Sequence, residues 1–221
     1  MRLKMDILPA GQRALWDELS EVPGHFTLYG GTAIALQLGH RQSVDFDFFA
    51  FADLDPEELL RTIPFLGDAR VLRVARNTLS VLVERAQEPV RVSFFGVPRL
   101  RCVLPPRRER EWPVALAALP DLAGMKVATI PRRVEVKDYL DIHAIWRQTD
   151  ITPEQAFAAA AIIYGERFNP MDALKALVWF EEEELAALPE EVRAFLKEAA
   201  RNFDHDTMAR ELVRLQNGAG G

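Results

Sequence analysis

Cysteine is almost missing from this 221-residue chain. Cys102 stands alone, which rules out an internal disulfide and leaves no cysteine-built metal site. No apolar run approaches the length that crosses a bilayer, and the opening MRLKMDILPAGQ lacks the hydrophobic stretch of a secretion signal. The cytoplasm is therefore the expected location, with no membrane contact. Basic charge is not in excess either: 27 Lys and Arg against 33 Asp and Glu give a formal charge of −6. Such a chain has no overall attraction to nucleic acid or to an anionic membrane, so any contact of that kind needs a local patch. What is present is an ordinary globular composition, 49% hydrophobic and 27% charged, long enough for one domain with an appended helical part.

The most informative stretch is residues 26–50, FTLYGGTAIALQLGHRQSVDFDFFA. An aromatic and β-branched run over 25–29 predicts a short strand that stops at Gly30-Gly31. Good helix formers follow from Thr32 to Leu38, and Gly39 is placed to end that helix. A glycine pair between strand and helix lets a substrate approach the backbone and aims free N–H groups at it, an arrangement that suits a phosphate. Residues 44–51 then predict a second strand. Because side chains alternate, Asp45 and Asp47 share one face, with Cα atoms roughly 6 to 7 Å apart, and Val44, Phe46 and Phe48 take the other. Two carboxylates on a phenylalanine-rich strand need neutralising, by a divalent cation or by arginines, unless the strand lies at an edge and they face water.

Upstream, Leu8, Leu15, Trp16 and Leu19 form a loose helical stripe over residues 6–20, read as a docking helix. Downstream, DPEELL opens a helix over 53–65. Three β-like runs, 69–75, 79–85 and 90–95, read as an antiparallel meander, giving a mixed sheet of about five strands. If three acids are to converge, one is expected on the third of these runs, yet only Ser93 is there; Glu84 on the neighbouring run is a substitute. Residues 98–111, PRLRCVLPPRRERE, form the clear basic cluster, either a solvated connector or a site for nucleic-acid phosphates or a triphosphate. Beyond Trp112 the pattern is helical. Lys126, bordered by Gly124, Met125, Val127 and Ala128, is expected to point into a cleft. In EVKDYLDIHAIWR, Asp138 and Asp141 share a helix face and Lys137 is spaced to pair with Asp141. Helices over 152–164, 170–180, 190–203 and 206–216 complete a bundle.

Taken together, Gly30-Gly31-Thr32 followed by GHRQSVDFDFF from Gly39 resembles the first motifs of the nucleotidyltransferase superfamily, in the branch of the AbiEii/AbiGii-type toxins. Leu122-Ala123-Gly124-Met125-Lys126, Arg133 and the run from Lys137 to Ile142 are similar to that branch's later lysine and aspartate motifs. The resemblance covers about residues 26–146 and implies an α+β fold: a small mixed sheet of the polymerase-β-like minimal type with helices on one side, then a helical bundle. The expected organisation is a core over 1–112, a helical domain over 113–217 that completes the active-site cleft, and a flexible tail over 218–221.

The resemblance also implies a reaction, transfer of a nucleotidyl group from an NTP, ATP among them, to an acceptor hydroxyl with loss of pyrophosphate. Mg²⁺ or Mn²⁺ would sit on Asp45 and Asp47. Gly30, Gly31 and Thr32 would cradle phosphate, with Lys126 neutralising it and Lys137 assisting at the nucleotide. Asp138 or Asp141 would orient Lys126 or the acceptor. The expected acceptor is RNA, a tRNA end first, reached through Arg107, Arg108 and Arg110, and the expected partner is a cognate antitoxin. The alternatives are a small-molecule or protein acceptor, or a degenerate binder of nucleotide or partner, for which Ser93 is the motive.

Overall fold

A computed structural model describes residues 2–218 of the chain. They divide into two units. One runs to Leu100 and takes in Pro106–Ala117; the other comprises Arg101–Pro105 and the chain from Ala118 onward. The tail expected at 218–221 lies, from residue 219, outside the described residues.

In the first unit the stripe expected over 6–20 is not one helix. It is broken into a 3-10 turn at Met5–Ile7, α1 at Ala10–Leu15, and a second 3-10 turn at Asp17–Glu21. Pro9 makes the first break, since it has no N–H to give back to the preceding turn and restrains the residue before it. The chain continues through β1 (Thr27–Tyr29), α2 (Gly30–Leu38), β2 (Asp45–Ala50) and α3 (Pro56–Thr62). Asp55 caps α3 by accepting from Glu57 N at 3.0 Å, with Pro56 at the first helical position. Then come β3 (Arg70–Ala75), β4 (Thr78–Arg85), β5 (Glu88–Gly96) and β6 (Ala115–Leu116).

The strand order is β3-β4-β5-β2-β1-β6. The meander β3-β4-β5 is antiparallel, as its short connections require, while β2 pairs parallel with β5 and antiparallel with β1. The sheet thus has six strands rather than about five. The sixth, β6, runs parallel to β1 for two residues, and Ala117 N extends the contact by donating to Leu28 O at 3.0 Å. Its core face is aromatic: Phe46, Phe48 and Phe94 are fully buried, and Phe48 stacks on Phe94 at 5.3 Å. Each such side chain contributes about 1.5–3 kcal/mol by leaving water. Val44, expected on this face, is exposed because β2 starts one residue later.

The second unit is helical: α4 (Leu119–Thr129), α5 (Val136–Gln148), α6 (Pro153–Tyr164), α7 (Pro170–Val178), α8 (Glu190–Arg201) and α9 (His205–Gly218). Thr152 and Gln155 form a reciprocal capping box at the start of α6, and Asn169 caps α7. The Tyr139 hydroxyl donates to Ala176 O at 3.0 Å, tying α5 to α7. Together the units give the α+β class that the sequence implied. No helix among the described residues is long and apolar enough to cross a membrane.

Candidate active site

Alternation along β2 buries Phe46 and Phe48 completely and leaves Asp45 and Asp47 half-buried on the opposite face. The strand pairings place their neighbours. Arg91 lies beside Asp45, and Ser93 lies beside Asp47 on one side with Tyr29 on the other. Ser93 is buried, and Ser80 Oγ donates to its Oγ at 3.1 Å across the β4–β5 pair. The position expected to carry a third acid therefore carries a hydroxyl pair. Glu84 does not replace it: it is exposed and stands opposite Pro89, beyond Arg91 along β5. Among the described residues no cluster of three or more His, Cys, Asp and Glu is arranged to hold a metal. The donor set is two carboxylates on one accessible face, which fits Mg²⁺ or Mn²⁺, since such an ion keeps several waters and takes substrate phosphate oxygens as further ligands.

The glycine pair abuts this face. Gly30 opens α2 with φ +73°, and a Cβ on it would sit 2.7 Å from Asp47 Oδ2, so both the backbone angle and the space demand glycine. The first N–H groups of α2 lack intrahelical acceptors. A side chain at Gly31 would strike the Arg41 guanidinium. Thr32 is 1% exposed; its Oγ1 donates to Asp45 O and shares a hydrogen bond with Ser43 Oγ at 2.9 Å. The Thr32 hydroxyl is thus turned to the strand, leaving the backbone as this residue's means of meeting a phosphate.

In the second unit the later motif residues form one ionic cluster. Lys126 is buried, and its Nζ lies 2.6 Å from Asp138 Oδ1 and 2.6 Å from Asp141 Oδ2. Both aspartates are fully buried on one face of α5, as their spacing of three implies. Arg133 grips Asp138 with two hydrogen bonds, Nε to Oδ2 at 2.9 Å and Nη2 to Oδ1 at 3.1 Å. Two cations thus face two anions, the balance that burial of charge requires. Lys137 does not pair with Asp141. It lies on the outer side of α5, 46% exposed, with Nζ 3.0 Å from Glu135 Oε2.

The basic cluster at 98–111 divides between the units: Arg101 belongs to the second, while Arg107, Arg108 and Arg110 belong to the first. Arg107, Arg108 and Arg110 are all exposed, and Arg107 is in addition bound to Glu109 at 2.7 Å and lies over the Trp112 ring.

Three features escaped the sequence. In-register rows continue the Asp45 and Asp47 face across the sheet: Asp45, Arg91, Leu82, Arg70 in one and Asp47, Ser93, Ser80, Arg73 in the next. Arg70, Arg73 and Arg91 are exposed and make no ion pair among the described residues. Gln12 is 1% exposed, with its amide against β2. Asp121, in the first turn of α4, is buried and accepts from Val103 N at 2.7 Å and Leu104 N at 3.0 Å, pinning residues 101–105 to the helices. Burial pushes its carboxyl up to about 6 despite those two donors.

The family model described as "Nucleotidyl transferase AbiEii toxin, Type IV TA system" matches residues 13–213. An uncharacterized protein of Aquifex aeolicus is 28% identical over 189 residues, 80% of this chain and 87% of that protein. Among solved structures, the nucleotidyltransferase toxin MenT4 of Mycobacterium tuberculosis shares the fold, with a TM-score of 0.58 at 15% identity over 91% of this chain and 88% of that one.

Proposed function

Because the chain belongs to the AbiEii nucleotidyl transferase toxin family, and is thereby a nucleotidyltransferase, we propose that it moves a nucleoside monophosphate from an NTP to a hydroxyl of RNA, a tRNA acceptor end first. The observation that carries the reading is the pair Asp45 and Asp47 on one accessible face of β2, with the start of α2 against Asp47. These carboxylates would hold Mg²⁺ or Mn²⁺, which when bound offsets charge on phosphate oxygens. The backbone of Gly30, Gly31 and Thr32 receives phosphate at the α2 N-terminus. Within the helical unit, Asp138 and Asp141 fix Lys126 in one orientation, and a nucleotide-binding role for Lys126 and the exposed Lys137 rests on the likeness of this segment to the family's later motifs.

An RNA acceptor is supported by Arg91, Arg70 and Arg73 on the same sheet face as the two acids, with Arg108 and Arg110 as further exposed cations of that unit. NTPs and RNA place the reaction in the cytoplasm, and a cognate antitoxin is the partner in keeping with the family. Ser93 in the third position favours a second reading, a scaffold that binds nucleotide without turnover. Incubation with each labelled NTP, Mg²⁺ or Mn²⁺ and total RNA separates the two. Label in RNA supports transfer, whereas metal-dependent NTP binding with no label in any acceptor supports the second reading.

A further inference from the structure

β1 is too short for the strand it supports. Its register with β2 ends at Tyr29 opposite Asp47, so the backbone groups of Ser43 and Asp45 on that side have no strand partner. An unpaired N–H or C=O inside a protein costs free energy comparable to a lost hydrogen bond. Two buried side chains supply what β1 does not. The Gln12 amide, in the orientation that pairs both of its ends, donates from Nε2 to Ser43 O at 2.5 Å and accepts at Oε1 from Asp45 N at 3.2 Å. Thr32 Oγ1 donates to Asp45 O. Asp45 thus has both backbone groups held by side chains rather than by a strand.

An amide side chain carries a donor and an acceptor side by side, as a backbone residue does, so Gln12 stands in for the residue that β1 lacks. The approach of α1 is itself enforced. A Cβ at Gly11 would lie 2.9 Å from Glu88 Cβ and 3.0 Å from Arg85 O, and Gly11 N donates to Glu88 Oε2 at 2.7 Å. Glycine at position 11 lets the short helix sit against the β4–β5 turn, and that contact delivers the neighbouring Gln12 to the start of β2.

From this arrangement we infer that Gln12 is a positioning residue for the Asp45 carboxylate, holding it at the spacing from Asp47 that a shared divalent cation requires. The inference rests on the reading of Asp45 and Asp47 as metal ligands. Gln12 lies just outside the span matched by the family model, and its segment otherwise serves as a docking element.

The test compares wild type, Asp45→Asn, Gln12→Met and Gln12→Glu by titration with Mn²⁺ alone, counting free ion by electron paramagnetic resonance, with thermal melts of each protein. Wild type is expected to bind Mn²⁺ and Asp45→Asn to lose that binding. Gln12→Met should bind about 10- to 100-fold more weakly, the usual cost of removing a group that orients a ligand. Gln12→Glu, which keeps the acceptor toward Asp45 N and loses the donor toward Ser43 O, should fall between them and also serves if the methionine variant does not fold. In the transfer assay, excess Mn²⁺ should restore most of the rate. A purely structural Gln12 would lower the melting temperature and leave the Mn²⁺ affinity of the folded protein unchanged, and that result overturns the inference. If wild type and Asp45→Asn bind Mn²⁺ equally, or neither binds it, the metal reading fails at its root and this inference with it.

Discussion

Ser93 lies directly beside Asp47 across the parallel pairing of β2 and β5, with its hydroxyl bonded to Ser80 Oγ at 3.1 Å. A hydroxyl there leaves the face with two carboxylates, and the charge a third would add can be introduced by one substitution. Ser93→Asp should lower the melting temperature in the absence of metal, because a buried carboxylate beside Asp47 is disfavoured by desolvation and like charge. Added Mn²⁺ should then raise it more than in wild type, since a ligand that binds only the folded state stabilises in proportion to its affinity. Equal metal-induced shifts in the two proteins would show that position 93 does not face the ion.

The ionic cluster of the second unit makes a prediction about stability. Lys126→Met removes the shared cation of two fully buried aspartates and should cost about 3–5 kcal/mol in denaturant unfolding. Adding Asp141→Asn to that variant should recover part of the loss, giving a coupling energy between the two sites. Additive losses would mean that the pair is not coupled as its geometry demands.

Asp121 sets a pH dependence. Its carboxyl is raised to about 6 by burial, above the unfolded value near 3.9. The folded form therefore holds a proton that the unfolded form has released across that window. This contribution to stability is complete below about pH 4 and is lost as pH rises through about 6, by up to about 3 kcal/mol. The non-titrating variant Asp121→Asn lacks this term, so the stability gap between wild type and variant should be wider at pH 4 than at pH 7. A gap that is constant, or that widens upward, contradicts the assignment.

The arginine row predicts a salt effect. Replacing Arg70 and Arg73 by alanine should weaken RNA binding and flatten its log–log salt dependence by about one for each phosphate that is no longer neutralised, while leaving NTP binding intact. An unchanged salt slope would remove this face from the RNA path and return the role to Arg108 and Arg110.

Much of the first unit was legible because it obeys short-range rules. A period of two put Asp45 and Asp47 on one face, and the glycine pair marked the strand-to-helix turn. Asp138 and Asp141 were legible as one helix face from their spacing, whereas their partnership with Lys126, a tertiary contact between α4 and α5, was expected only through the family resemblance. The spacing of Lys137 and Asp141 misled for the same reason: Asp141 faces inward and takes the buried lysine. Gln12, Asp121 and the row through Arg91 and Arg70 were invisible. A buried polar side chain shows no periodicity of its own, and rows across a sheet exist only once strand registers are known. The two-residue β6 is too short to carry any pattern.

Whether Asp45 and Asp47 serve nucleotidyl transfer is decided by following label from each α-labelled NTP into RNA, with pyrophosphate release counted in parallel, for wild type, Asp45→Asn and Asp47→Asn. Pyrophosphate should equal the label incorporated in wild type, transfer should depend on Mg²⁺ or Mn²⁺, and each variant should lose at least about 100-fold in rate. Transfer that persists in both variants, or that proceeds without a divalent ion, would contradict a role for the two carboxylates in the reaction.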